Sequence, residues 1–214
     1  METLERMDAF FENRLAGYDE HIRTAIEGAA EFYAFTAKQL PVEPGCEILD
    51  LGCGTGLELE AYFPRNPRAR ITGIDLSSAM LRALEQKLPG KQLELIHGSY
   101  FDVPFGERRY SAALSVESLH HFTEGQKLFL YRKLHGSLKE DGFFILTDYF
   151  AQSREEEAAF FSALERQKRE QQITDGAFYH FDTPLTPEHE MAVLQQAGFS
   201  DVRILGSWGP THTI

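Results

Sequence analysis

The sequence predicts an α/β fold, a doubly wound and mostly parallel sheet with helices on both faces. Two observations carry this reading. From residue 47 onward, strand-like and helix-like segments alternate, and such alternation implies parallel strands joined by crossover helices. The first strand also runs straight into a loop with glycine at positions 52, 54 and 56, followed by a helix-like run from Leu57. Glycine lets a backbone turn sharply and approach a ligand closely.

Residues 1 to about 40 read as a helical lead-in of two pieces. Ile22, Ala25, Ile26, Ala29, Ala30, Phe32 and Tyr33 recur at helical spacing and form one apolar stripe. Pro41 to Gly45 ends that unit. Candidate strands follow at 47–51, 70–75, 92–97, 110–116 and 142–148, with candidate helices at 57–63, 78–88 and 124–138. Thr123 with Gln126 makes a capping box for the last of these. Residues 151–184 break the alternation as a helical insertion placed to act as a cap. Ser153 and Glu156 open a charged helix to about residue 172, with Phe160, Phe161 and Leu164 on its apolar side. An irregular stretch from Thr174 to Pro184 follows. Thr186 then caps a helix that has Pro187 in its first turn. Residues 202–205 and 211–214 complete a set of seven strands. No repeat or linker divides the chain, so 1–214 reads as one domain.

The 43% hydrophobic and 25% charged residues suit a globular protein with a sizeable core. The net charge of −12, from 33 acids against 21 bases, argues against nucleic acid, whose binding rests on clustered Lys and Arg. The N-terminal residues carry no secretory pattern, and no apolar run is long enough to span a membrane. Cys46 and Cys53 flank an extended strand that holds them too far apart for a disulfide. Free thiols fit a reducing cytoplasm, the expected location. No His-x-x-x-His or Cys-x-x-Cys spacing is present, so no metal is expected.

The acid Asp50 stands two residues before the first loop glycine, and Ile71-Thr-Gly-Ile-Asp75 ends a second strand in another acid. Glu94 to Phe105 and Tyr110 to Phe122 follow. These four segments, in this order and at this spacing, resemble the class I S-adenosylmethionine (SAM) dependent methyltransferases, closely over residues 45–150 and in outline elsewhere. The resemblance implies a seven-stranded sheet whose last strand inserts antiparallel. It implies SAM as the methyl donor, held by Asp50, Gly52, Gly54 and Gly56 at its amino acid end. Asp75 would take both ribose hydroxyls, since a carboxylate's two oxygens suit two neighbouring donors. Leu76 would lie on the adenine, with Ser99 and Tyr100 at the adenine edge and Ser115 at the end of the fourth strand. Many relatives carry aspartate at the position of Ser99, which leaves the adenine contacts less defined here. Tyr18 is expected to fold over the methionine end, with Arg14 as a partner for its carboxylate.

Transfer of a methyl from a sulfonium is a displacement, so alignment is the enzyme's main task. A base is needed only where the acceptor must lose a proton. His121, just past the fourth strand, and His180 in the cap are the catalytic candidates, with His120 pointing away from His121. His180 and Asp182, two apart in a strand-like stretch, would share a face and form an oriented pair. The chain lacks an Asn/Asp-Pro-Pro-Tyr motif after the fourth strand and a cysteine in that region, which with the acidic balance points to a small-molecule acceptor. The aromatic cap suits an apolar one. Monomer and homodimer remain open. Two other readings stand beside this one: a non-catalytic SAM-binding protein, and an NAD(P)-dependent oxidoreductase. The latter fold wants Gly-x-Gly-x-x-Gly, whereas this loop is Gly-x-Gly-x-Gly and Asp50 would crowd a pyrophosphate.

Overall fold

The computed structural model describes residues 3–214; Met1 and Glu2, the first residues of the predicted lead-in, lie outside the described residues. Seven strands form one sheet: β1 (Glu47–Leu51), β2 (Arg70–Asp75), β3 (Gln92–His97), β4 (Tyr110–Val116), β5 (Leu138–Tyr149), β6 (Gly206–Trp208) and β7 (Thr211–Thr213). Their order is β3-β2-β1-β4-β5-β7-β6. The first five pair in parallel, and β7 inserts antiparallel between β5 and β6. This is the predicted doubly wound architecture. Strand order reverses between β1 and β4, and open α/β sheets bind ligands at the carboxyl ends of the strands beside such a switch point.

Three helices precede the sheet: α1 (Met7–Asn13), α2 (Tyr18–Ala25) and α3 (Ala29–Gln39). The sequence suggested two pieces. Gly17 and Gly28, left-handed at φ 81° and 73°, stand at the N-caps of α2 and α3, breaks that periodicity alone does not show. A Cβ on Gly28 would also stand 2.7 Å from the Trp208 Cβ. Next come α4 (Leu57–Tyr62), α5 (Ser78–Lys87), α6 (Glu124–Ser137), α7 (Arg154–Glu170) and α8 (Pro187–Ala197). Thr123 and Gln126 complete the capping box of α6, and Thr186 accepts from His189 N ahead of Pro187. At α7 the Ser153 hydroxyl accepts from Glu156 N, but Glu156 reaches Gln152 N, so the box there is displaced by one residue.

Two apolar layers sandwich the sheet. One packs α3, α4 and α5 through Phe32, Leu59 and Leu84. The other packs α6 and α8 through Leu130, Leu134 and Val193. Within the second layer Glu190, fully buried, accepts from Lys127 Nζ and from the Tyr131 hydroxyl. That pairing is what allows two charges to sit in a core.

The final strands differ from expectation. Val202–Leu205 is not a strand, because pairing of this hairpin starts at its turn and β7 meets Gly206 at Thr213, leaving Val202 to Ile204 without a partner strand. β5 begins at Leu138 rather than 142, since Leu138 pairs with Tyr110 before a register shift. Both cysteines are free thiols. Among the described residues no helix is long and apolar enough to cross a membrane.

Candidate active site

Leu51 leads from β1 into Gly52–Gly56, and the loop is fastened to β2 at two heights. Gly52 N donates to Ile74 O (2.9 Å). Gly54 N donates to Asp75 Oδ2 (2.9 Å), while Ser77 N donates to Asp75 Oδ1 (2.8 Å). Asp75 thus ties the glycine loop to the start of α5 and keeps a free lone pair on each oxygen. Burial raises its pKa and these two amides pull it back. Gly52 has φ +72°, and a Cβ there would lie 2.1 Å from Ser118 Oγ. Only glycine lets the loops after β1 and β4 close on each other at this point.

Asp50 lies beneath this loop, 1% exposed, and Glu58 in the first turn of α4 is 5% exposed. Asp50 Oδ2 and Glu58 Oε1 are buried without a hydrogen-bond partner. Burial first, then the neighbouring Glu58 charge, pushes the Asp50 carboxyl well above its ordinary range. Burial pushes Glu58 up to about 7 despite its hydrogen bond with Asp50 and the nearby Lys87. Two buried carboxyls with unused oxygens ask for a cation or for protons.

The lead-in forms the roof. Met7, Phe11 and Tyr18 face Gly52–Glu58, Asp75, Leu76, Tyr100, Glu117 and Ser118 across a cavity of about 50 Å³, enough for a few waters. Asp19 holds α2 down by accepting from Thr55 Oγ1 (2.5 Å) and pairing with Lys87. A larger groove, about 740 Å³, lies near the start of β5 and the end of α8, lined by Phe143, Phe199 and Arg203. It shares no residue with the glycine loop, and it sits at the wrong end of the strands for a ligand site of this fold.

Of the residues singled out from sequence, Tyr18, Gly52, Gly54, Gly56, Asp75, Leu76 and Tyr100 line the small cavity, and Asp50 lies just below it. Ser99, Ser115 and Arg14 do not reach it. The Ser99 hydroxyl accepts from Phe101 N, and the buried Ser115 hydroxyl donates to Leu51 O, joining β4 to β1. Arg14 stacks over Phe10 and pairs with Glu5, away from the cavity.

Beyond Ser118, a short 3₁₀ turn (Leu119–His121) carries both histidines inward. They do not diverge as expected. Their rings lie 4.0 Å apart, and both approach Asp182. His121 Nδ1 stands 3.3 Å from Asp182 Oδ1 and 3.2 Å from Phe181 O. His120 Nδ1 stands 2.5 Å from Asp148 Oδ1, and Asp148 Oδ2 accepts from Leu119 N (2.8 Å). The predicted His180–Asp182 pair does not form. Residues 180–185 are not a strand, so the two side chains share no face, and His180 stacks on Phe10 at 3.4 Å. Burial lowers His121 and lowers His180 to about 4. Burial also opposes charge on His120, but Asp148 outweighs it and raises that group to about 9. Phe101, Phe122 and Phe178 pack on one another as an aromatic wall, and Phe11, which lines the cavity by the glycine loop, has its ring 6.4 Å from that of His121.

Sequence reasoning missed Glu58, Glu117 and Asp148. Glu117 lines the cavity at φ 49°, accepts from Thr211 Oγ1 and is raised to about 7 by burial and by Asp148. An acid next to last in β5, near the strand's carboxyl end as Asp75 is in β2, was the available signal for Asp148.

Residues 48–142 match a family profile described as "Methyltransferase domain". An uncharacterized methyltransferase of Synechocystis sp. is 29% identical over 123 residues, 58% of this chain and 56% of that protein. The fatty-acid O-methyltransferase of Mycolicibacterium smegmatis is 34% identical over 119 residues, 55% of this chain and 42% of that protein. The chain therefore spans about half the length of the curated relatives it matches. Among solved structures, a Nostoc punctiforme protein provisionally described as an O-methyltransferase superposes with a TM-score of 0.72 at 23% identity, covering 99% of this chain and 61% of that one. Human N-acetylserotonin methyltransferase in complex with SAM gives 0.61 at 16% identity, covering 87% and 51%.

Proposed function

We propose, from the premise that this chain belongs to the class I SAM-dependent methyltransferase family, that it transfers a methyl group from SAM to a small, largely apolar acceptor. The carrying observation is the pairing of a glycine loop tied to Asp75 with two buried carboxyls, Asp50 and Glu58, whose free oxygens have no partner within the protein. A dinucleotide pyrophosphate would meet repulsion there, whereas an ammonium supplies the missing partner. SAM brings a methyl on a positively charged sulfur, a good leaving group. The residues that would hold it are Asp50 and Glu58 at the amino acid end, Asp75 at the ribose, Leu76 and Tyr100 at the base, and Tyr18 as the roof.

Acceptor alignment falls to the aromatic wall and to the His120–His121–Asp182 group beyond Ser118. Apolar lining around a few convergent polar groups is the usual form of a small-molecule site. The fatty-acid O-methyltransferase relative favours an acceptor with an oxygen at one end of an apolar body.

Titration calorimetry with SAM and with NAD tests the donor. Binding of SAM without binding of NAD is expected, and absence of SAM binding at high micromolar concentration sinks the proposal. Methyl release to a panel of hydroxy and carboxy acceptors separates an enzyme from a SAM-binding protein. Replacing His121 by alanine is expected to leave SAM affinity unchanged and to lower turnover about tenfold or more, because misaligned reactants lose rate steeply. Unchanged turnover would remove His121 from the acceptor site.

A further inference from the structure

We propose that His120, His121 and Asp182 form a site for one divalent cation of the Zn²⁺ type, with Asp148 as the carboxylate that orients His120. Asp182 Oδ1 lies 3.3 Å from His121 Nδ1 and 3.7 Å from His120 Nε2. All three donor atoms lie within 4.8 Å of one another. Ligands about 2.0–2.1 Å from a tetrahedral Zn²⁺ stand roughly 3.3 Å apart, so the spacing leaves room for an ion with small adjustment. Two imidazoles and one carboxylate are a donor set that suits Zn²⁺ and its neighbours and disfavours Mg²⁺ or Ca²⁺.

The surroundings carry the argument further. His120 uses Nδ1 toward Asp148 Oδ1, and Asp148 is itself fixed by the amides of Leu119 and Tyr149. A carboxylate behind the far nitrogen of a histidine is the usual support of a metal-ligating imidazole, fixing ring orientation and leaving Nε2 free to bind. Both histidines are buried, whereas the Asp182 side chain is 45% exposed, so the group opens on one side. Three protein ligands with one open position are the pattern of sites where a metal binds a substrate atom. Phe11, whose ring lies 6.4 Å from that of His121, also lines the cavity by the glycine loop, as does Ser118 just before the turn that carries both histidines. On the methyltransferase reading, the ligand class it takes is an acceptor oxygen, a hydroxyl or carboxylate. Metal binding itself does not depend on that reading.

Tag-free full-length protein, stripped with a chelator, is titrated with Zn²⁺ against a chromophoric competitor, and with Co²⁺ followed by its visible absorption. One equivalent is expected, with the intense bands of low-coordinate Co²⁺. Asp182→Asn and His120→Ala are expected to weaken binding at least about tenfold, and Asp148→Asn about 10–100-fold with stoichiometry unchanged. Circular dichroism confirms that each variant folds, and the conservative Asp182→Asn and Asp148→Asn changes decide the matter if His120→Ala does not. Failure of the wild type to take up Zn²⁺ or Co²⁺, or equal uptake by Asp182→Asn, overturns the proposal and leaves the cluster as a hydrogen-bonded chain. SAM titration of the metal-free protein keeps this failure distinct from failure of the methyltransferase reading.

Discussion

An Asp75→Asn protein is expected to bind SAM about a hundredfold more weakly and to unfold about 1–3 kcal/mol more easily than the parent. Both effects come from one geometry. Gly54 N and Ser77 N each donate to a different oxygen of this carboxylate, so both sides of the side chain face an N–H. An asparagine offers one oxygen and one NH₂, and in either orientation its NH₂ opposes a backbone donor in a half-buried site. One part-buried amide loses its partner, which sets the stability cost. The loop that Asp75 anchors then loses its tie to β2, and the two lone pairs proposed for the ribose hydroxyls are reduced to those of one neutral carbonyl. Hydrogen bonds to a charged acceptor contribute about 1.5–3 kcal/mol each, and losing the better part of one, with the loop's placement, amounts to about two decades of affinity. Calorimetric titration and urea denaturation measure the two terms separately. SAM affinity within about threefold of the parent would show that Asp75 only braces the loop.

What the sequence makes legible is what is local. A glycine required by a positive φ, an acid that ends a strand and a threonine that caps a helix each follow from a few consecutive residues, and Gly52, Asp75 and Thr123 were readable for that reason. Glu58 was not. On the face of α4 it reads as an ordinary solvated acid, and only the packing of the loop and the lead-in helices buries it. Asp182 was readable as a polar residue of the cap, but not its partner. The two-residue period that paired it with His180 holds only in a strand, and this segment is irregular. Its observed partners, His120 and His121, are about sixty residues away in sequence and are brought near by the sheet. Ser99 and Ser115 failed in the opposite way. Each has a hydroxyl at a site-like position, and each uses it to satisfy a neighbouring backbone group.

Between pH 7 and pH 5, SAM affinity is expected to fall by up to about tenfold per pH unit. Asp50 and Glu58 are the cause. Burial raises both carboxyls, Asp50 well above its ordinary range and Glu58 to about 7, so below pH 7 the pair is increasingly neutral. An ammonium bound against their free oxygens favours the ionised form, and its arrival must expel a proton. Each unit of acidity below the pair's titration then costs about 1.36 kcal/mol. The stability of the ligand-free protein runs the other way. Glu58 titrates higher in the folded protein than its ordinary value of 4.5, so its contribution is fully present below about 4.5 and is lost as pH rises through about 7. The ligand-free melting temperature should decline across that window while the rise on adding SAM grows. Asp75 and Glu60 push the pair toward protonation and Lys87 opposes them. The α-amino group of SAM loses its own proton only near pH 8, which confines the test to lower pH. Glu58→Gln removes one of the two titrating groups, and in it both slopes are expected to flatten. Calorimetry in buffers of different ionisation enthalpy counts the released proton directly. An affinity that does not change between pH 5 and 7, or an equal slope in Glu58→Gln, would place the ammonium elsewhere and leave these two acids as a structural pair sharing a proton.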